Sequence, residues 1–249
     1  MSKYIKTTSI LFILLAAVQI ISAEESLNAD GILRKVDEVL TAPKDLSALM
    51  KINIVNKNGD VKNREVQMYQ KGDNKRLVKV LAPADQKGIG FLSLPDDVIY
   101  VYLPAYKKTR RIAAHVKNQK FVGTDFTYED LEAKKYSEKW QPKGLRNEGE
   151  FYSLELIPKP GYISEYARVN LYVRKDDYFP VKSEFFNKKG EMIKKMEILK
   201  TEIIKGYIIP KNYLMQDIRS GNRTEMIMEE VKVDTGLKDD IFTERNLAQ

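Results

Sequence analysis

Ile99-Tyr100-Val101-Tyr102-Leu103-Pro104, Lys107-Lys108-Thr109-Arg110-Arg111-Ile112 and Phe121-Val122-Gly123-Thr124-Asp125-Phe126-Thr127-Tyr128-Glu129-Asp130-Leu131 are the pieces around which the rest of the chain is organised. The first reads as a short apolar strand stopped by a proline, which cannot donate to a sheet ladder. The third has a glycine at a turn and then polar residues suited to start a short helix. Thr127 and Asp130, three apart, approximate a capping box. The basic run between them is too polar to be core. Residues 106–131 are the longest stretch without a convincing long strand, and to either side the sequence is almost all strand.

Upstream, residues 30–41 form the clearest helix. Ile32, Val36, Val39 and Leu40 make one apolar stripe, Asn28 or Asp30 can cap it, and Pro43 follows its end. Leu46, Ala48, Met50, Ile52 and Ile54 then alternate with polar residues, and Asn58-Gly59-Asp60 is a hairpin turn. Strands are expected over 61–71, 75–81 and 89–94. Downstream, a strand near 134–141 and a turn over 142–149 precede long strands over 151–157, 164–175, 179–187, 191–203, 207–219 and 223–233. Ala167, Val169, Leu171 and Val173 share one face, and Arg168, Asn170, Tyr172 and Arg174 the other. The expected inward set is Leu46, Met50, Ile52, Val169, Leu171 and Val173, with Arg168 and Arg174 outside. Antiparallel strands this long, in a sheet of roughly ten, must twist and curl. Either the sheet closes into a barrel, or its hollow is partly open to a guest. No composition break marks a boundary, so residues 24–249 read as one domain.

Lys3 and Lys6 precede an apolar run over 10–21, and Ser22-Ala23 offers small residues for cleavage before Glu24. Residues 1–23 therefore read as a cleaved signal peptide and the mature chain as soluble. With no cysteine there is no disulfide and no site for a lipid anchor on the new N-terminus. The chain carries 42 Lys and Arg against 35 Asp and Glu, and without the leader the surplus is about +5. Such a surplus suits anionic membrane surfaces or acidic partners. The basic residues are dispersed, which argues against nucleic acid.

Signals of catalysis are weak. The single histidine, His115, lies in the basic linker, and there is neither a serine elbow nor a phosphate-cradling glycine loop. No metal or cofactor is expected. Asp125, Glu129 and Asp130 could hold a cation, but local capping and pairing with Lys134 or Lys135 is the commoner use of such residues. Trp140 reads as a packing residue. Residues 106–131 read either as a mobile lid over the mouth of the hollow or as a fixed loop that closes one end of the sheet. Phe121, Val122 and Phe126 would be the lid's apolar side and Gly123 its pivot. Lys107, Lys108, Arg110 and Arg111 read first as a solvated strand edge, and as a functional alternative would face headgroups or a partner.

Tyr102-Leu103-Pro104, Arg110-Arg111-Ile112 and the 121–131 block together resemble the outer-membrane lipoprotein-sorting protein family, relatives of the LolA periplasmic carrier, in a LolA-like, uncharacterised branch. Residues 76–83, 88–92 and 238–242 look like that family's surroundings, so the resemblance covers nearly the whole mature chain. It implies a mainly β fold, a curled antiparallel sheet forming an open half-barrel, lidded by one N-terminal helix and short helical loops. It also implies a non-enzymatic periplasmic carrier whose hollow shelters a lipid or lipoprotein acyl chain, handed on by a lipoprotein-releasing or RND-type inner-membrane transporter. The alternative is an adaptor or scaffold subunit of an RND-type exporter without transferable cargo. The LolA carrier has an arginine near the start of its third strand that helps govern lid closure; alignment places Lys71 there, beside Gly72.

Overall fold

The computed structural model describes residues 28–249; the expected leader and its cleavage point before Glu24 lie outside them. The first element is helix α1 (Ala29–Leu40). Asn28 caps it, its side-chain oxygen accepting from the Gly31 N–H at 2.8 Å, and Ile32, Leu33 and Val36 are buried.

Two meanders follow. The first is β1 (Asp45–Val55), β2 (Val61–Lys71), β3 (Lys75–Ala82), β4 (Gly90–Leu94), β5 (Val98–Leu103) and β6 (Lys108–Arg111). The second is β7 (Trp140–Glu148), β8 (Phe151–Pro158), β9 (Arg168–Arg174), β10 (Pro180–Phe186), β11 (Met192–Ile204), β12 (Tyr207–Asp217) and β13 (Asn222–Val233). Antiparallel pairing of β1 with β13 joins them into one 13-stranded sheet with β6 and β7 at its edges. The edges are not paired with each other, so the sheet is curled but unclosed. Residues 112–139 cross its inner side between them, carrying short helices α2 (Tyr128–Leu131) and α3 (Tyr136–Lys139). Among the described residues no helix is long and apolar enough to cross a membrane.

Four expectations need correction. The sheet has thirteen strands rather than about ten; one of them, Lys108–Arg111, is the solvated edge strand that the basic run suggests. Residues 134–139 are irregular and helical rather than extended. The expected turn over 142–149 is strand β7, which tolerates Pro142 because it lies at the edge and shifts register between Pro142 and Gly144. Finally, β9 begins at Arg168, not Ser164, because Ser164 and Glu165 are engaged with the crossing segment instead.

The sheet buries apolar residues on both faces. The inner face carries the main core, including Ala48, Ile52, Val66, Val80, Phe91, Leu154, Leu171 and Met215. On the outer face of β3 and β4, Leu77 and Leu92 pack under Phe242 and Leu247 from the C-terminal segment, which ends in helix α4 (Glu244–Leu247). Gly90 permits that approach, since a Cβ there would meet Leu247 Cδ1 at 2.5 Å and the Leu247 carbonyl at 3.2 Å. Lys71 and Lys75 hold Asp239 of the same segment at 3.1 and 2.9 Å. Lys71 is therefore occupied on the outside of the sheet, not positioned to govern a lid.

Candidate functional site

The inner face encloses a cavity of about 260 Å³ walled by β1–β3, β11–β13, α1 and the crossing segment. Strand register gives it a polarity. From the β2–β3 turn inward, the facing residues run Leu46, Gln70 and Arg76, then Ala48, Met68 and Val78, then Met50, Val66 and Val80. Polar groups thus stand at one end of the wall and apolar ones beyond, continued by Met226 and Met228.

Of the residues expected inside, Leu46, Met50 and Ile52 are on this wall. Val169, Leu171 and Val173 face inward too but are fully buried in packed core, with Val169 opposite Phe185 and Tyr166 on the Phe185 ring. Alternation assigns a face, and what covers that face is decided elsewhere. Arg168 and Arg174 point outward, paired with Glu155 and Asp177.

Phe121 and Phe126 of the crossing segment also line the cavity. Val122 and Gly123 form the turn between them, both with positive φ (43° and 78°), and an added Cβ at Gly123 would meet nothing within 4 Å. Lys107, Lys108, Arg110 and Arg111 are exposed on the β5–β6 hairpin and do not border the cavity. His115 is exposed, and Trp140 is buried, edge-on to Tyr162.

The 121–131 block works as a plug. Tyr128 stacks on Phe91, with Phe121 edge-on to both. Thr127 and Asp130 form the expected capping box on α2. The carboxylates do not pair with Lys134 or Lys135, which hold Asp97 and Asp73. Asp125 instead takes Lys120 at 2.7 Å and the Thr224 hydroxyl at 2.8 Å. Asp130 takes the buried Lys194 at 3.2 Å and the Tyr166 hydroxyl at 2.8 Å. Glu129 accepts from the Ser164 hydroxyl and the Glu165 N–H. Burial pushes the Glu129 carboxyl above the usual carboxylate range, against those hydrogen bonds. The three acids serve different partners, and among the described residues no cluster of three His, Asp or Glu is placed to hold a metal ion.

Alternation could have revealed one further residue. Val78 and Val80 face inward, so Arg76 must as well, but the outer face of β3 is also apolar at Leu77 and the pattern is blurred. The Arg76 guanidinium donates to Gln70 Oε1 at 3.2 and 2.6 Å and to the Leu131 carbonyl at 2.9 Å, tying β3 to the plug. Burial pulls its pKa below the ordinary arginine value. Tyr213, across the cavity on β12, donates only to Met228 Sδ at 3.6 Å, and burial pushes its pKa up to about 12.

The model of a family of uncharacterised proteins matches residues 72–249. A DUF1329 family protein from Desulfovibrio piger is 26% identical with a TM-score of 0.79, the match covering 88% of this chain and 97% of that one. A domain assigned to outer membrane lipoprotein sorting, from Vibrio parahaemolyticus, is 25% identical with a TM-score of 0.78, over 89% of this chain and all of that one. A LolA superfamily protein from Nitrosomonas europaea, 20% identical, shares the fold with a TM-score of 0.74, over 89% of this chain and all of that one. No curated protein matches the chain. By the family match over residues 72–249 the chain belongs to a LolA-like family of uncharacterised proteins, and the unclosed antiparallel sheet around an apolar hollow is the fold it shares with these neighbours.

Proposed function

We propose that the protein is a non-enzymatic carrier in the bacterial periplasm that shelters an acyl chain of a lipid or lipoprotein and moves it between envelope membranes. The observation that carries this reading is the cavity itself: its wall is apolar in its depth, polar at one end, and belongs to a sheet that does not close. Each methylene taken out of water is worth about 0.8 kcal/mol, so a sixteen-carbon chain is worth on the order of 12 kcal/mol. Unaided transit through water is correspondingly rare, and an apolar hollow removes that barrier. A volume of about 260 Å³ lies just under the range of roughly 300–1,000 Å³ for small-molecule sites. A long chain therefore needs the plug residues Phe121, Val122, Gly123 and Phe126 to shift as a lid. Lys107, Lys108, Arg110 and Arg111, free on the edge hairpin, suit an anionic membrane or a membrane transporter during transfer.

A second reading is favoured by the buried ion pairs that hold the plug. A hollow permanently filled by its own side chains suits an adaptor or scaffold subunit of an RND-type exporter. Native mass spectrometry of the gently purified protein separates the two. Co-purifying lipid, lost on delipidation and restored on adding an acyl ligand, is the result expected of a carrier. A chain that is always empty and refuses acyl ligands is the scaffold.

A further inference from the structure

We infer that the cavity selects acyl chains with an anionic head, and that Arg76 is the group that reads it; this rests on the carrier reading above. Buried charges in proteins are ordinarily paired. Three of the four acids lining this cavity follow that rule: Asp73 holds Lys135, Glu132 holds Lys117 at 2.8 Å and Asp130 holds Lys194. Asp37 is turned to backbone donors instead, accepting from the Tyr136 and Ser137 N–H groups at 2.7 and 3.0 Å. Arg76 departs from it. Among the described residues its partners are the neutral Gln70 amide and the Leu131 carbonyl, and no carboxylate lies within ion-pair distance. The Tyr213 phenol lines the same cavity.

A guanidinium has five N–H donors. Three are used here, which leaves two for a guest. Tyr213 stays protonated and spends its hydrogen on a thioether, a weak acceptor. A carboxylate or phosphate beside Arg76 supplies the missing countercharge and makes charge-assisted hydrogen bonds. The order of residues along β2 and β3 places that head beside the turn and its tail over Val66, Val78 and Met50. The shared chemistry is a single acyl chain with an acidic head, from a free fatty acid or a lipid phosphate.

Calorimetric titration of the delipidated full mature chain with dodecanoate, dodecanol and dodecanoyl lysophosphatidic acid, each below its micelle concentration at neutral pH, tests this. Dodecanoate or the lysophosphatidic acid should bind at least about tenfold more tightly than dodecanol, the scale of one charged hydrogen bond. The tighter of the two acids identifies the source of the head. In Arg76→Gln the preference should vanish while dodecanol binding persists, and Arg76→Lys should restore part of it; circular dichroism checks that each variant is folded. Should Arg76→Gln not fold, Tyr213→Phe reads the same preference, which should shrink. Equal binding of acid and alcohol by the unaltered chain, or a preference that survives loss of Arg76, overturns the inference and leaves the carrier intact. Failure of all three ligands to bind overturns both.

Discussion

The segment crossing the hollow is held in two different ways on its two flanks. Toward β9–β13 the grip is made at buried carboxylates: Asp130 takes Lys194 of β11, Lys120 reaches Asp217 of β12 at 2.9 Å, and Asp125 accepts from the Thr224 hydroxyl of β13 at 2.8 Å. Toward β2–β5 it is aromatic stacking of Tyr128 on Phe91, the Arg76 bond to Leu131, a bond from the Ala133 N–H to Ser93 Oγ, and ion pairs at more exposed positions such as Lys135 to Asp73. Separating a buried pair strands charge in a poor solvent, whereas stacked rings slide and exposed ions exchange for water. The plug is thus riveted to one half of the sheet and rests on the other. An opening that admits a chain should part it from β2–β4 and leave the β11–β13 side closed.

The largest expected effect tests the packed half. Leu171→Glu puts a carboxylate where Leu171 is fully buried and should cost more than about 4 kcal/mol, enough to abolish a cooperative urea transition. Arg168→Gln, on the outer face, should change stability by less than about 1 kcal/mol. Equal tolerance at both positions would mean the inner and outer faces are assigned the wrong way round.

Next comes the contrast between the flanks. Lys194→Met leaves Asp130 without its buried cation and should cost about 3–5 kcal/mol in urea unfolding. Lys135→Ala breaks a more exposed pair and should cost less than about 1 kcal/mol. Hydrogen exchange should show the 121–131 amides loosened only in the first. Similar small losses in both variants would dissolve the distinction.

Gly90→Ala probes a contact on the other side of the same wall. Its Cβ would overlap buried Leu247, and overpacking of this kind costs about 1–3 kcal/mol. The loss should appear as faster proteolysis of the C-terminal segment, with acyl binding unchanged. Faster cleavage within 112–139 instead would mean that the outer cluster and the plug open together.

The smallest effect is a pH dependence of opposite sign at two acids. Burial raises Asp217, but hydrogen bonds from Lys120 and the Ser220 N–H outweigh it, so its folded pKa lies below the ordinary value. Its stabilisation is present above the unfolded carboxylate pKa and is lost as pH falls through the folded one. Glu129, raised by burial beside Asp130, does the reverse. It binds its proton more readily when folded, so stability falls as pH climbs from its unfolded pKa through the raised one. Urea midpoints followed from about pH 3 to 7 should show Asp217→Asn flattening the acid-side loss and Glu129→Gln flattening the other. Parallel profiles for both variants and the unaltered chain would remove charge from the account of the grip.

Much of this was legible in the residues. Helix α1, the long strands and the turns at Gly59, Gly190 and Gly206 follow from local pattern, because strand and helix periods and positive-φ glycines act over a few residues. The capping box at Thr127 was equally visible. The failures share a cause: each depended on a distant partner. Strand β7 looks like a turn until its edge position excuses the proline, and Ser164 looks like strand until Glu129 claims it. Alignment puts Lys71 where the lid arginine belongs, but Asp239, far along the chain, takes it.

Taken alone, the sequence determined that the chain would be mainly β, curled and amphipathic, since hydrophobic alternation and turn chemistry are properties of short windows. Tertiary structure alone decided which inward residues line a cavity and which are sealed in core, and which charges are paired. Those outcomes depend on what folds over each face. Arg76 shows the limit most plainly. Its position in β3 sets its direction, but its want of a carboxylate emerges only once every nearby acid has been claimed by another strand or loop.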